Sequence, residues 1–188
     1  MNQDMKKIAI NYALISAGIG ILYTLIGYIT GSTSLFTTWY IGLAIAAVGI
    51  VITVVGTNKY KGTQDGFMSF KDAFTVSFLI LFLAGLISTV FNILMFNVID
   101  PGFAEELNQA ILESTVGMME RMGAPEETIT QQIETMESKG GQFSFGNQIK
   151  GFGMALIFYG VLALIIAAFT KKKAPEFMDA GTTEGSED

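Results

Sequence analysis

The sequence predicts an all-α fold: an integral membrane four-helix bundle with an extracytoplasmic amphipathic helical hairpin between spans 3 and 4. Three observations predict it. The chain has 188 residues, 51% of them hydrophobic, and charge is absent from three stretches, 8–58, 73–99 and 151–170. Those stretches run for 51, 27 and 20 residues, and a helix needs about 20 apolar residues to cross the hydrocarbon layer. The charge is gathered elsewhere, with nine acidic residues between Asp100 and Glu137. A water-soluble chain of this size scatters its charges over its surface, so the pattern points to lipid as solvent. The length allows a single membrane domain, 1–188.

Each element can be justified in order. The first span, 8–30, follows Lys6 and Lys7; it is too long for a signal-peptide core and lacks a small-x-small cleavage site at its end. Gly31 to Ser34 makes a polar turn. The second span, 35–56, has Trp39 and Tyr40 near its start, where amphipathic rings favour the headgroup level. So short a turn makes the two helices antiparallel neighbours, and a loop over 58–67 follows. Ser69 and Asp72 then read as a capping box. The third helix starts near Phe70, with its span at 72–99; its 30 residues would measure about 45 Å, more than the hydrocarbon core is thick.

Asp100 as N-cap and Pro101 at the first helical position open the insert, 100–145. Phe103, Leu107, Ile111, Val116 and Met119 fall near one face. Gly123 to Pro125 interrupts, and Ile129, Ile133 and Met136 resume at helical steps. Lys139, Gly140 and Gly141 stop the second hairpin helix. Ser144 or Asn147 opens the fourth span, 149–170, which Lys171, Lys172 and Lys173 end. The acidic tail, 174–188, reads as disordered. With the N-terminus in the cytoplasm, eight of the eleven basic residues face inward. The positive-inside bias therefore puts both termini inside and the hairpin outside.

Composition removes whole classes of chemistry. There is no Cys and no His, hence no disulfide, thiolate nucleophile, Cys- or His-ligated metal, imidazole base or Ser-His-Asp triad. A net charge of −6 argues against nucleic acid, which needs a basic stripe. No phosphate loop, dinucleotide fingerprint, EF-hand loop or long-period repeat occurs. The chain reads as a non-enzyme, with no catalytic residue, no cofactor and no metal site. A hydrolase using outer carboxylates such as Glu113 and Glu120 is the remaining enzymatic alternative.

Small residues recur along the first span at Ala13, Ala17, Gly20, Thr24 and Gly27, continuing to Gly31. On the second they recur at Gly42, Ala46, Gly49, Thr53 and Gly56. Such seams let membrane helices approach closely, and the expectation is that the two seams mesh with each other; a homo-oligomer contact is the alternative. Ser88, Asn92 and Asn97 are polar positions on the third span, with Thr89 in the same sector. Interhelical hydrogen bonding is their default role, and a solute path is the alternative. No carboxylate or basic residue lies deep in a span, which argues against ion-coupled transport. The acidic residues of the hairpin read as a solvated face, and Met118, Met119 and Met122 as apolar positions rather than a soft-metal site. The hairpin stripe of Phe103, Leu107, Ile111, Ile129 and Ile133 is the candidate interaction face.

At Gly66-Phe-Met-Ser-Phe-Lys-Asp-Ala-Phe74, through Phe91-Asn92 to Ile99-Asp100-Pro101, the chain resembles the bacterial membrane proteins grouped as domain of unknown function 4199. The resemblance covers most of the chain and implies four spans with an extracytoplasmic helical insert before the last. It also implies the inner membrane of Gram-negative bacteria, and brings no assigned activity. The functional expectation is an accessory or scaffold protein acting through helix–helix and hairpin contacts. Its partners would be the lipid bilayer and either another membrane protein or a second copy. An uncoupled channel or transporter for a small solute is the alternative.

Overall fold

Apolar segments in lipid must satisfy their own backbone groups, and helices do so within one segment. The computed structural model describes residues 2–138 and 141–173 and is helical almost throughout. In chain order it contains α1 (Gln3–Ile29), the single turn α2 (Ser34–Thr37), α3 (Trp39–Gly62) and α4 (Phe70–Leu94). A π-helical turn, Met95–Ile99, prolongs α4; α5 (Pro101–Arg121), α6 (Glu126–Ser138) and α7 (Phe145–Thr170) follow. Four helical stretches of 28, 24, 30 and 26 residues are long and apolar enough to cross a membrane. Large apolar side chains such as Ile10, Leu22, Val51, Val90, Phe158 and Phe169 are exposed along them, the arrangement that lipid stabilises and water does not. The protein is a multi-pass all-α membrane bundle. The acidic tail expected over 174–188 lies outside the described residues, as do Lys139 and Gly140 of the hairpin stop.

The ends of the helices follow local chemistry. Asn2 caps α1, its Oδ1 accepting from Asp4 N at 2.7 Å, so the helix starts five residues before the apolar run. Helix α3 continues past 56 to Gly62, so much of the expected loop is helical. Lys59 and Lys61 lie in its last turn, where cations offset the negative end of the helix dipole. Ser69 caps α4 by accepting from Asp72 N at 3.0 Å and donates to Asp72 Oδ2 at 2.7 Å. Asp100 caps α5, accepting from Phe103 N at 3.0 Å, with Pro101 behind it. Ser144 is the N-cap of α7, which places Asn147 inside that helix.

Helix α4 is the centre of the bundle and packs against α1, α3 and α7. The small-residue seam of α1 faces α4 rather than α3, as Ala13 and Ala17 cluster with Ala84. On α3 only the second half of the seam is covered. Thr53 and Gly56 are buried, Gly49 is half-buried, and Gly42 and Ala46 are exposed. The expected meshing of the two seams therefore fails at the hairpin end. Its physical cause is α2: Phe36 occupies the space beside Gly27, where an added Cβ would run into its ring. The end of α1 thus faces α2, held further by a hydrogen bond from the Tyr23 hydroxyl to Leu35 O.

The opposite, lysine-rich end is closely packed. Met5, Ala9, Tyr60, Met68, Ala73, Val76, Ile80 and Ala167 form one buried cluster. Inside it the Thr57 and Ser77 hydroxyls meet at 2.9 Å, and each also bonds its own helix, to Thr53 O and Ala73 O. Ser77 keeps its bond to Ala73 O when the Thr57 hydroxyl is removed, and Thr53 O keeps its place as a helix carbonyl, so Thr57→Val should lower stability by only about 0.6 kcal/mol, the average for interhelical bonds in such bundles. Chemical unfolding in detergent checks this; a loss several times larger would show that the pair organises the core.

A short antiparallel bridge closes this end. Met68 N donates to Lys172 O at 2.7 Å and Lys172 N to Met68 O at 2.9 Å. Beside it Lys61 Nζ donates to Thr170 O at 3.2 Å. The ammonium groups of Lys171 and Lys172 sit 5.7 and 5.4 Å from the ring centres of Phe70 and Phe67.

Candidate functional site

Two concave features stand out, one in the hairpin and one within the spans. The first is built on an aromatic platform. Phe103 packs edge-on to Tyr28 at 5.2 Å and touches the Phe36 and Phe96 rings, each at 6.2 Å, while Phe96 lies 4.6 Å from Phe143. Leu107 and Ala104 complete the cluster, and Leu107 is 0% exposed. Phe103 and Leu107, expected on the interaction face, instead hold α5 to the bundle. The reason is geometric: the first two turns of α5 lie directly over the aromatic ends of α1, α2 and α4.

Beyond that point the hairpin stands off. Helix α6 rests chiefly on α5, with Ile129 and Ile133 half-buried. A groove of about 700 Å³ lies between α5, α6 and the segment entering α7. Ile111, Leu112 and Met136 give it apolar surface, and Asn108, Gln109, Gln132, Gln142 and Asn147 line it with amides. Its closed end is fixed by a clip, Gln142 N donating to Asn108 Oδ1 at 2.8 Å. Gly141 makes the turn with φ at 78°, and an added Cβ would strike Asn108. Amide side chains beside apolar surface can hydrogen-bond an extended or helical peptide while burying its side chains.

Asn97 belongs to this platform and not to a polar track through the spans. Its Nδ2 donates to Ile93 O at 3.2 Å and to Phe143 O at 3.1 Å, tying the π turn to the chain before α7. The carboxylates Glu113, Glu120, Glu126 and Glu127 are exposed. Among the described residues no three acidic side chains gather closely enough to hold a metal ion.

The second feature is a groove of about 410 Å³ among α1, α3, α4 and α7. Ser88 and Asn92 line it, joined by Thr89, Ser16 and Tyr159, with Gly20, Ala46, Gly49 and Gly85 among its small residues. Ser16 and Tyr159 are the residues that sequence reasoning missed. Gly85 was the available signal, one turn before Ser88 and Thr89 on the same sector of α4. Its bare backbone admits the Tyr159 ring, whose hydroxyl would lie 2.6 Å from an added Cβ.

No curated protein matches the chain, and no solved structure does. A family model does match, over residues 11–172, from the third turn of α1 to the bridge at Lys172. On that match the chain belongs to the DUF4199 family, described as a protein of unknown function.

Proposed function

We propose that the protein is an accessory or scaffold subunit of the bacterial inner membrane, whose bundle is the anchor and whose α5–α6 hairpin is the docking surface. The observation that carries this reading is the contrast within the hairpin. Its base is fixed by the buried Phe103 and Leu107, whereas the groove above them is open and lined by amides and apolar side chains together with Glu105 and Thr115. A rigid mount under an open amphipathic groove suits binding a peptide segment, because little ordering entropy is lost on the protein's side. The lysine-rich end is placed in the cytoplasm by the positive-inside bias, so the groove meets an extracytoplasmic segment of a partner protein.

The reading assigns no reaction. A solute path is the weaker alternative, because the interior on the lysine-rich side is filled by Thr53, Thr57, Val76, Ser77 and Ile80, each 0% exposed. The intramembrane groove therefore ends blind.

The test is the mass and composition of the complex released from native membranes in mild detergent. A stoichiometric companion is expected, retained when Lys71→Ala alters the opposite end and lost in Leu112→Asp, which alters only the groove. A lone monomer, or a companion indifferent to Leu112→Asp, would overturn the proposal.

A further inference from the structure

The intramembrane groove differs from the rest of the bundle in the state of its hydroxyl groups. Within the four spans Thr24, Thr30, Thr53, Thr57, Thr75, Ser77 and Thr170 each bond a carbonyl of their own helix, at 2.7–3.2 Å. Among the described residues only three serine or threonine hydroxyls of the spans have no such bond: Ser16, Ser88 and Thr89. All three line the groove. The Asn92 amide and the Tyr159 hydroxyl, also on its wall, lack side-chain hydrogen bonds as well. Donors left unmatched in hydrocarbon are costly, which is why spans normally satisfy them internally. Five unmatched donors converging on one cavity call for an acceptor that the chain does not supply.

Depth and charge narrow the chemistry. Exposed Trp39 and Tyr40 mark the headgroup level at the start of α3. Ala46 and Gly49 lie seven and ten residues further on, about 10–15 Å along the helix axis. The phosphate of a phospholipid would remain that far away, and no charged side chain lines the groove to meet it. The rim is open sideways, since Ala46 and Val48 are exposed. The volume of about 410 Å³ falls within the usual range for small-molecule sites, about 300–1,000 Å³.

We propose that this groove binds one uncharged, lipid-soluble molecule through a carbonyl oxygen, which accepts from Ser88, Asn92 and Tyr159 while its apolar body lies against α3. Two sources carry that chemistry, a quinone with an alkyl tail and a diacylglycerol. The proposal does not depend on the docking role of the hairpin, which lies at another level of the molecule.

The test follows the thermal unfolding of the purified full chain in detergent as each probe is titrated: decyl-benzoquinone, dioctanoylglycerol, and phosphatidylcholine of the same chain length. A ligand that binds the folded state raises Tm saturably. A saturable rise with the quinone alone, or the glyceride alone, identifies the source; a rise with both shows recognition of the carbonyl itself. Ala46→Phe, at the exposed rim, should weaken the response at least about tenfold. Ser88→Ala and Asn92→Leu should each weaken it about two- to tenfold, the loss of one neutral hydrogen bond. Ser88→Ala removes a single oxygen and serves if a larger change prevents folding. No saturable rise with either uncharged probe overturns the proposal, as does an equal rise with phosphatidylcholine, which carries the same ester carbonyls under a charged headgroup, or an undiminished one in Ala46→Phe. A change in particle mass in Ala46→Phe would assign the groove to a second copy and equally overturn it.

Discussion

Replacing Phe103 by alanine is expected to release the hairpin while leaving the spans in place. Phe103 is 6% exposed and touches Tyr28, Phe36 and Phe96, three rings that reach it from α1, α2 and the π turn. Truncating a buried phenylalanine costs about 3–5 kcal/mol, through lost burial and the cavity left behind. Little else fixes the base of α5. Leu107 packs in the same cluster, and the clip between Asn108 and Gln142 is one hydrogen bond, worth about 0.5–1.5 kcal/mol. The loss therefore falls on the attachment rather than on the bundle. Hydrogen exchange should show residues 101–138 losing protection in Phe103→Ala, with α1, α4 and α7 unchanged. Equal loss in the spans would mean that the platform holds up the whole fold; no loss would mean that the hairpin is held elsewhere.

The second large effect concerns Gly56, where three helices meet. A Cβ there would lie 2.7 Å from Tyr12 Cγ, 2.8 Å from Ile80 Cδ1 and 3.0 Å from Tyr12 Cβ. The Tyr12 atoms are the stem of the side chain and cannot swing aside, so α1 or α3 has to move. Overpacking of this kind costs about 1–3 kcal/mol, and Gly56→Leu should exceed Gly56→Ala. Gly42 is the internal control, because an added Cβ there meets nothing within 4 Å. Gly42→Ala should be neutral or slightly stabilising, since alanine favours helix by up to about 1 kcal/mol over glycine. Thermal unfolding in detergent compares the two; equal Tm values would show that α3 does not pack against α1 and α4 as described.

The number of spans, the caps at Ser69 and Asp100 and the placement of the hairpin were legible in the sequence because each rests on local chemistry. Charge-free length marks a span, and a capping side chain reaches only the next turn. The partners of each face were not legible. Ala13 and Ala17 announce close approach, but nothing in their spacing says whether α3 or α4 will take the place. Nor does the spacing show that Phe36 will take the place beside Gly27 at the far end of α1. The hairpin stripe misled for the same reason: Phe103 and Ile111 share a helical face, yet one lies over aromatic rings and the other over open space. Ser88 and Asn92 were visible as polar residues in an apolar helix. Their companions Ser16 and Tyr159 come from helices at either end of the chain, and only the fold brings them together.

The bridge between Met68 and Lys172 has a consequence for how the molecule is made. One of its two residues precedes α4, and the other follows α7. A chain emerging from the ribosome has made Met68 about a hundred residues before its pairing partner exists. Contacts so distant in sequence form late, because the intervening loop must close first. Until α7 arrives, the buried cluster around Tyr60 and Ala73 lacks Ala167, and its α4 flank lies open. A nascent chain halted after α4 therefore presents an unfinished surface at the very end where the lysines gather. The bridge can close only once α7 is in place, so a chain that carries it has all four of the described spans made and packed.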